Sequence, residues 1–269
     1  MKKACIIGHP VAHSLSPKLH GYWLKKYAID GSYEALDAPP EQVVNIIKNL
    51  RKNGFVGGNV TVPHKELALG LCDELDIIAN EVGAVNTLYY KNEKLCGTNT
   101  DVAGFVENIK PHLTSNTRAV VVGAGGASRA VVVALKQLGF SDIIITNRTR
   151  EKADILAEKH DLKVADWELR EHALEGVDLL VNTTSLGLKN NPPLEISLAA
   201  LPKHALVTDI VYAPLNTPLL AAAKLRGNIV VDGLGMLIFQ AVAGFEAWFG
   251  GRPEVNLQEL ETLKKILVE

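Results

Sequence analysis

The sequence predicts an α/β protein folded as two domains, each on a mostly parallel sheet. Three observations carry that expectation. Short β-branched runs alternate with amphipathic stretches along most of the chain, the order that places helices over parallel strands. Near the middle, in "RAVVVGAGGASRAVVVALKQLGF", a continuous apolar run ends in a glycine-rich turn and passes into an amphipathic stretch. The chain has 269 residues, 47% of them hydrophobic, which is enough for two ordinary cores.

In the first half, "KACIIG", "SYEALDA" and "FVGGNVTV" have the short, turn-bounded character of strands. Between them, the stretch after Ser16 and "EQVVNIIKNLRK" repeat apolar residues at helical spacing. In "NVTVPHK", Val60 and Val62 alternate with Asn59 and Thr61, so a strand turns the valines one way and the polar pair the other. Pro63 stops strand pairing and suits a first helical position. That puts His64 and Lys65 in the first turn of a helix through "ELALGL", with His64 supporting the turn. The polar region "GAVNTLYYKNEKLCGTNTD" reads as a strand pair, and "VAGFVENIKPHL" as a helix leading to a linker at "TSNT".

A second unit begins at that linker. Strand, glycine turn, helix, strand and helix follow from "RAVVVGAGGAS" to "REKADILAEKH", which is the mononucleotide-binding plan of a Rossmann-type domain. Gly123, Ala124, Gly125, Gly126 and Ala127 form the turn, where missing side chains let backbone amides approach a pyrophosphate. Ser128 stands where the pattern ends in glycine. After the second strand comes "NRTR". Asn147, Arg148, Thr149 and Arg150 occupy the place where an acidic residue would favour NAD, and Arg148, about 25 positions past Gly123, suits the 2′-phosphate of NADP. Further strands are expected at "VDLLVNTT", "ALVTDIVY" and "NIVVDG". Helices are expected at "MLIFQAVAGFEAWFG" and, capped by Asn256, at "NLQELETLKKILVE"; these last helices can complete the first domain. The expected boundaries are 1–101 with 236–269 for the first domain and 102–235 for the second.

Composition narrows the partners. Lys plus Arg number 28 against 30 for Asp plus Glu, a net charge of −2, so no bulk positive field recruits nucleic acid or an anionic membrane. No apolar run reaches the roughly 18 residues of a membrane span, and "MKKACIIG" passes into a strand pattern without a signal-peptide cleavage region. A cytoplasmic protein is expected. Cys5, Cys72 and Cys96 lack Cys-x-x-Cys spacing and read as structural thiols. The histidines lack His-Glu-x-x-His spacing; His9, His13 and His20 leave only a weak metal alternative, and no metal site is assigned.

In "HSLSPKLH", Ser14 and Ser16 sit two apart at a helix start, where the simplest expectation is that Ser16 caps and Ser14 is exposed. Taken together, "HSLSP", "GGNVTVPHK", "GAVNT", "GTNTD", "GAGGASRA", "NRT", "DIVYAPLNTP" and "DGLGMLIFQA" resemble the shikimate dehydrogenase family, in the same order and over nearly the whole chain. The resemblance implies reversible NADP-dependent reduction of 3-dehydroshikimate to shikimate, in aromatic amino-acid biosynthesis, by a monomer or homodimer whose partner is that small molecule. It also implies site residues. Lys65 and Asp101 are similar to the family's catalytic pair, and Ser14 and Ser16 to its carboxylate clamp. Asn59, Thr61, Asn86, Tyr212 and Gln240 resemble substrate partners, while Thr183 in "NTTS", Ile210 and Gly233 match positions beside the nicotinamide. Val102 departs from the pattern, which has glycine after the aspartate.

The chemistry stands without the family. Carbonyl reduction needs a hydride on carbon and a proton for the developing alkoxide, and a lysine can supply that proton. A helix start disfavours the Lys65 ammonium, whereas a nearby Asp101 carboxylate favours it. The rival readings are a dual quinate/shikimate dehydrogenase, a non-catalytic NADPH-binding sensor and, further off, a folate-type dehydrogenase.

Overall fold

The computed structural model describes residues 1–268; Glu269, the end of the expected last helix, lies outside them. The elements run β1 (Lys2–Gly8), α1 (Ser16–Lys26), β2 (Gly31–Asp37), α2 (Val43–Lys48), β3 (Phe55–Val60), α3 (Lys65–Leu69), β4 (Glu74–Leu75), α4 (Ile77–Val82), β5 (Thr87–Lys91), β6 (Lys94–Thr98) and α5 (Asp101–Ile109). Then come β7 (Arg118–Val122), α6 (Gly126–Gln137), β8 (Asp142–Thr146), α7 (Arg150–His160), β9 (Lys163–Ala165), β10 (Leu179–Asn182), β11 (Leu206–Asp209), α8 (Pro218–Leu225), β12 (Val230–Val231), α9 (Leu234–Phe249) and α10 (Leu257–Val268). Two compact units emerge, one from Met1–Gly104 with the chain from Leu237 onward, the other Phe105–Met236.

The first unit has a six-stranded mixed sheet in the order β2-β1-β3-β5-β6-β4. Three of its five pairings are parallel; β3 with β5 and β5 with β6 are antiparallel. The antiparallel step follows from a tight hairpin, since Asn92 and Glu93 both take positive φ (48° and 70°) as a two-residue turn between twisted strands demands. One apolar layer packs Cys5, Ile7, Val43, Ile47, Leu50, Val60, Val85 and Leu88 together. Another cluster is aromatic: His20 stacks on Tyr33 at 4.0 Å, and Trp23, Phe245 and Trp248 surround it. Trp248 Nε1 donates to the Leu88 carbonyl at 2.8 Å, which ties α9 to β5.

Neither ring nitrogen of the fully buried His20 has a hydrogen-bond partner among the described residues. Burial therefore disfavours the imidazolium and pushes its pKa down to about 3. Between roughly pH 6.5 and 3 the unfolded chain holds a proton that the folded chain does not, so this contribution to stability is complete above pH 6.5 and lost as pH falls. Replacing His20 with Phe keeps the stacking and removes the titration. Urea unfolding of the variant should depend on pH less steeply than wild type, by about 1.4 kcal/mol per pH unit across that window; equal slopes would show that His20 does not titrate on unfolding.

Three local expectations are corrected. The strand expected to run through Val62 ends at Val60; Val60 is buried but Val62 is 63% exposed, so the two valines do not share an inward face. Pro63, joined to Val62 by a cis peptide bond, precedes the helix instead of starting it, and Lys65 is the first helical residue. Ser16 is not the cap of α1. It is the first helical residue, and Ser14 Oγ accepts from its N–H at 3.3 Å. Asn256 does cap α10, accepting from Glu259 N–H at 2.9 Å.

The second unit has a six-stranded sheet, β12-β11-β10-β7-β8-β9, parallel at every pairing. The strand order reverses at β7, which carries the glycine turn at its carboxyl end. In doubly wound sheets that reversal is where ligands sit. Val120, Val122, Leu180, Val207, Leu219 and Leu220 lie in its core. Among the described residues no helix is long and apolar enough to cross a membrane.

Candidate active site

Lys65 and Asp101 meet in the first unit. Lys65 Nζ lies 2.6 Å from Asp101 Oδ2, with side-chain exposures of 17% and 11%. Lys65 starts α3 because His64 and Val85 anchor that start: His64 Nε2 donates to the Ala38 carbonyl at 2.6 Å, and Lys65 O accepts from Val85 N–H at 2.9 Å. Asp101 starts α5. Asn99 Oδ1 accepts from its N–H at 3.1 Å while Asn99 Nδ2 donates to Ala84 O, so Asn99 braces the entry to this helix and leaves the Asp101 carboxylate free for Lys65. Val102, at the position of the family glycine, is buried in α5 without positive φ.

Asn86 supplies the second contact to the carboxylate, its Nδ2 donating to Asp101 Oδ1 at 2.8 Å. Gln240 closes the cluster. Its Oε1 accepts from Thr100 Oγ1 at 3.3 Å and its Nε2 donates to Leu237 O at 2.9 Å, leaving its second N–H available. Thr61 is half-buried and held against β1, its backbone N–H donating to Ile7 O at 2.8 Å; its hydroxyl has no hydrogen-bond partner among the described residues. The Ser14 proton is likewise uncommitted, and Ser16 lies near the Tyr33 hydroxyl. Asn59 is held by its neighbours. Tyr33 donates to its Oδ1 at 2.6 Å and its Nδ2 donates to Asn86 O and Thr87 Oγ1, both at 3.1 Å, so its polar atoms are engaged inside the protein. Tyr33, Thr87, Asn99 and Thr100 are participants that sequence reasoning left out, although three of them lie inside the motifs "GAVNT" and "GTNTD".

In the second unit the glycines of the turn divide by cause. Gly123 has φ +110°, and a Cβ there would lie 2.6 Å from Thr183 Oγ1, so the fold itself demands glycine. A Cβ on Gly125 or Gly126 would meet nothing within 4 Å, and φ at Gly125 is an ordinary −94°. Their missing side chains leave open space over the amino end of α6, which fits a pyrophosphate cradle. Ser128 replaces the last glycine by closing the turn, its fully buried hydroxyl donating to Gly125 O at 2.5 Å. Ala124 N–H donates to Asn147 Oδ1 at 3.1 Å and Asn147 Nδ2 donates to Thr149 O at 2.8 Å, stapling this turn to the one after β8. Ala127 lies in the first turn of α6.

Arg148, Thr149 and Arg150 are exposed there. Arg150 is ion-paired with Asp154, at 2.7 Å, and with Asp166; Arg148 has no ion-pair partner among the described residues. The Thr183 hydroxyl donates to Val122 O at 2.8 Å and supports the turn. Asp209 was missed by sequence reasoning. Its carboxylate accepts from Val211 N–H, Asn182 Nδ2 and Thr217 Oγ1, and burial, the largest influence, raises its pKa. That fastens the segment of Ile210 and Tyr212. A Cβ on Gly233 would stand 2.3 Å from Ile210 O, and burial raises the pKa of the Tyr212 phenol, keeping it a neutral donor.

Among known proteins, the family model for the shikimate dehydrogenase substrate binding domain matches residues 6–88, and that for shikimate / quinate 5-dehydrogenase matches residues 105–194. A protein of Mesorhizobium japonicum called shikimate dehydrogenase (NADP(+)) is 52% identical over 262 residues, covering 96% of this chain and 94% of its own. The shikimate 5-dehydrogenase of Thermus thermophilus, solved in complex with NADP(H) and shikimate, superposes with a TM-score of 0.89 at 36% identity, covering 100% of this chain and 99% of that one. A quinate dehydrogenase of Corynebacterium glutamicum, in complex with NAD, gives 0.90 at 27% identity, covering 99% and 98%.

Proposed function

The chain belongs to the shikimate dehydrogenase family, and on that premise we propose that it catalyses the reversible NADPH-dependent reduction of 3-dehydroshikimate to shikimate. The observation that carries this reading is the 2.6 Å contact of Lys65 Nζ with Asp101 Oδ2, backed by Asn86 on the other carboxylate oxygen. Bound NADPH supplies the hydride. The Lys65 ammonium holds a proton for the oxygen that gains charge as the ketone is reduced, and in the reverse direction the amine accepts one from the alcohol. Asp101 orients that ammonium. Because Oδ1 is occupied by Asn86, the carboxylate offers Lys65 a single defined position.

The uncommitted protons of Ser14, Thr61 and Gln240 suit an anionic polyol, a carboxylate at the serines and hydroxyls at the other two. Ser16, at the first position of α1, joins Ser14 in the clamp. In the second unit the open backbone at Gly125 and Gly126 would take the pyrophosphate and Arg148 the 2′-phosphate of NADP, with Ile210 and Gly233 beside the nicotinamide. The first unit thus serves substrate and the second the nucleotide. The reaction belongs in the cytoplasm, a reducing compartment in keeping with three unpaired cysteines.

The test is direct. Reduced-nicotinamide absorbance should appear when the protein is mixed with shikimate and NADP⁺, and remain low with NAD⁺ or with quinate. Comparable rates on quinate would make it a dual quinate/shikimate enzyme, and no oxidation of either alcohol would leave an NADPH-binding protein without this activity.

A further inference from the structure

The two amide orientations in the buried cluster behind Asp101 can be assigned from groups with only one possible role. The backbone carbonyl of Asn86 can only accept, so the Asn59 atom 3.1 Å from it is Nδ2, and Asn59 Oδ1 therefore accepts from the Tyr33 hydroxyl. The second Nδ2 hydrogen of Asn59 points at Thr87 Oγ1, which accepts it; the Thr87 hydrogen has Asn86 Oδ1 at 2.9 Å as its nearer acceptor, with Thr100 Oγ1 at 3.1 Å beside it. The Thr100 N–H, a fixed donor, reaches the same Asn86 oxygen at 2.8 Å. Both donors turn Asn86 so that its Nδ2 faces Asp101. Strand register makes this possible, because Asn59 on β3 is the direct cross-strand partner of Thr87 on β5. Tyr33, Asn59, Asn86, Thr87 and Thr100 are all at most 8% exposed, so water does not substitute for a lost partner at low cost.

We propose that Thr87 and Tyr33 are positioning residues for the reaction: neither touches Lys65 or Asp101, yet their hydroxyls hold Asn59 and Asn86 in the one amide orientation that presents an N–H to Asp101. In the opposite orientation the Asn86 oxygen would sit against a carboxylate oxygen at the present 2.8 Å, and Asp101 would be repelled from its place against Lys65. The chain Tyr33–Asn59–Thr87–Asn86 runs from β2 through β3 to the residue that faces Asp101. This inference rests on the reaction proposed above.

The test compares Thr87→Val, which removes the hydroxyl and keeps the volume, with Thr87→Ser, which restores it. Thr87→Val should lower kcat for shikimate oxidation about tenfold through misplacement of the acid–base pair, with KM for shikimate within about twofold, and Thr87→Ser should recover most of the loss. Tyr33→Phe should act in the same direction and less. Independently of turnover, exchange of the Asn86 side-chain amide protons with solvent, followed by NMR, should accelerate in Thr87→Val and return toward wild type in Thr87→Ser. Unchanged amide exchange in Thr87→Val would overturn the positioning role, as would a kcat loss that tracks the melting temperature and is not recovered by serine. A wild-type protein that fails to oxidise shikimate would instead refute the proposed reaction, while amide exchange would still decide what Thr87 does.

Discussion

Lys65→Ala should lower turnover by about 10²–10⁴ while leaving NADPH affinity within about twofold, measured by steady-state kinetics and by fluorescence titration of the nucleotide. The size of the effect comes from what the amine does. A hydride delivered to a carbonyl carbon leaves charge on oxygen, and without a positioned acid that charge must wait for water. The side chain is 17% exposed and its Nζ is held 2.6 Å from Asp101 Oδ2, so it is neither a freely solvated lysine nor sealed away from a ligand. Alanine removes the proton source and also leaves a carboxylate that is only 11% exposed without its cation, with Asn86 Nδ2 as its remaining donor among these residues. Some loss of stability is therefore expected alongside the kinetic one. Circular dichroism at the assay temperature separates them, because the turnover deficit should persist where the variant is fully folded. Nucleotide affinity is spared because the glycine turn and Arg148 belong to the other unit. Turnover near wild type in a folded Lys65→Ala protein would remove Lys65 from the acid–base role.

The sheet plan was legible in the sequence because its signals are local. Apolar runs such as "RAVVV" and "VDLLV" are buried parallel strands, and the glycine turn sits between a strand and a helix as its pattern requires. Lys65 and Asp101 were legible as residue types at the starts of helices. What stayed hidden depends on register. Thr87 is one of many strand threonines until β3 and β5 pair antiparallel and set it opposite Asn59, 28 residues away in sequence. Tyr33 reads as an ordinary core aromatic, and only the fold brings its hydroxyl to Asn59 Oδ1. The same limit explains the errors at ends. Alternation in "NVTV" is real, but the strand register of β3 with β1 ends at Val60, and Val62 beyond it is turned to solvent. The short β4 and β9 carry too few residues for a period to show.

Arg148→Ala should weaken NADPH binding roughly ten- to a hundredfold and change NADH binding by less than about threefold, since a charge-assisted contact to a phosphate is worth about 1.5–3 kcal/mol and NADH lacks that phosphate. Three features of the second unit direct this expectation to Arg148 rather than its neighbours. The Asn147 staple holds the turn after β8 against the glycine turn, with Arg148 as the residue between the two stapled positions. Arg150 is already bound to Asp154 and Asp166, so recruiting it means giving up two carboxylates for one phosphate. No acidic residue occupies "NRTR" to hold a free ribose hydroxyl pair, which leaves NADH without a compensating partner. Arg150→Ala should accordingly move NADPH affinity much less than Arg148→Ala. Because phosphate recognition here is electrostatic and exposed, raising ionic strength should weaken NADPH binding to wild type more than to Arg148→Ala. Equal loss of NADPH and NADH in Arg148→Ala would mean that this arginine shapes the turn and does not read the 2′-phosphate, and the NADP preference would then have to come from elsewhere in the same loop.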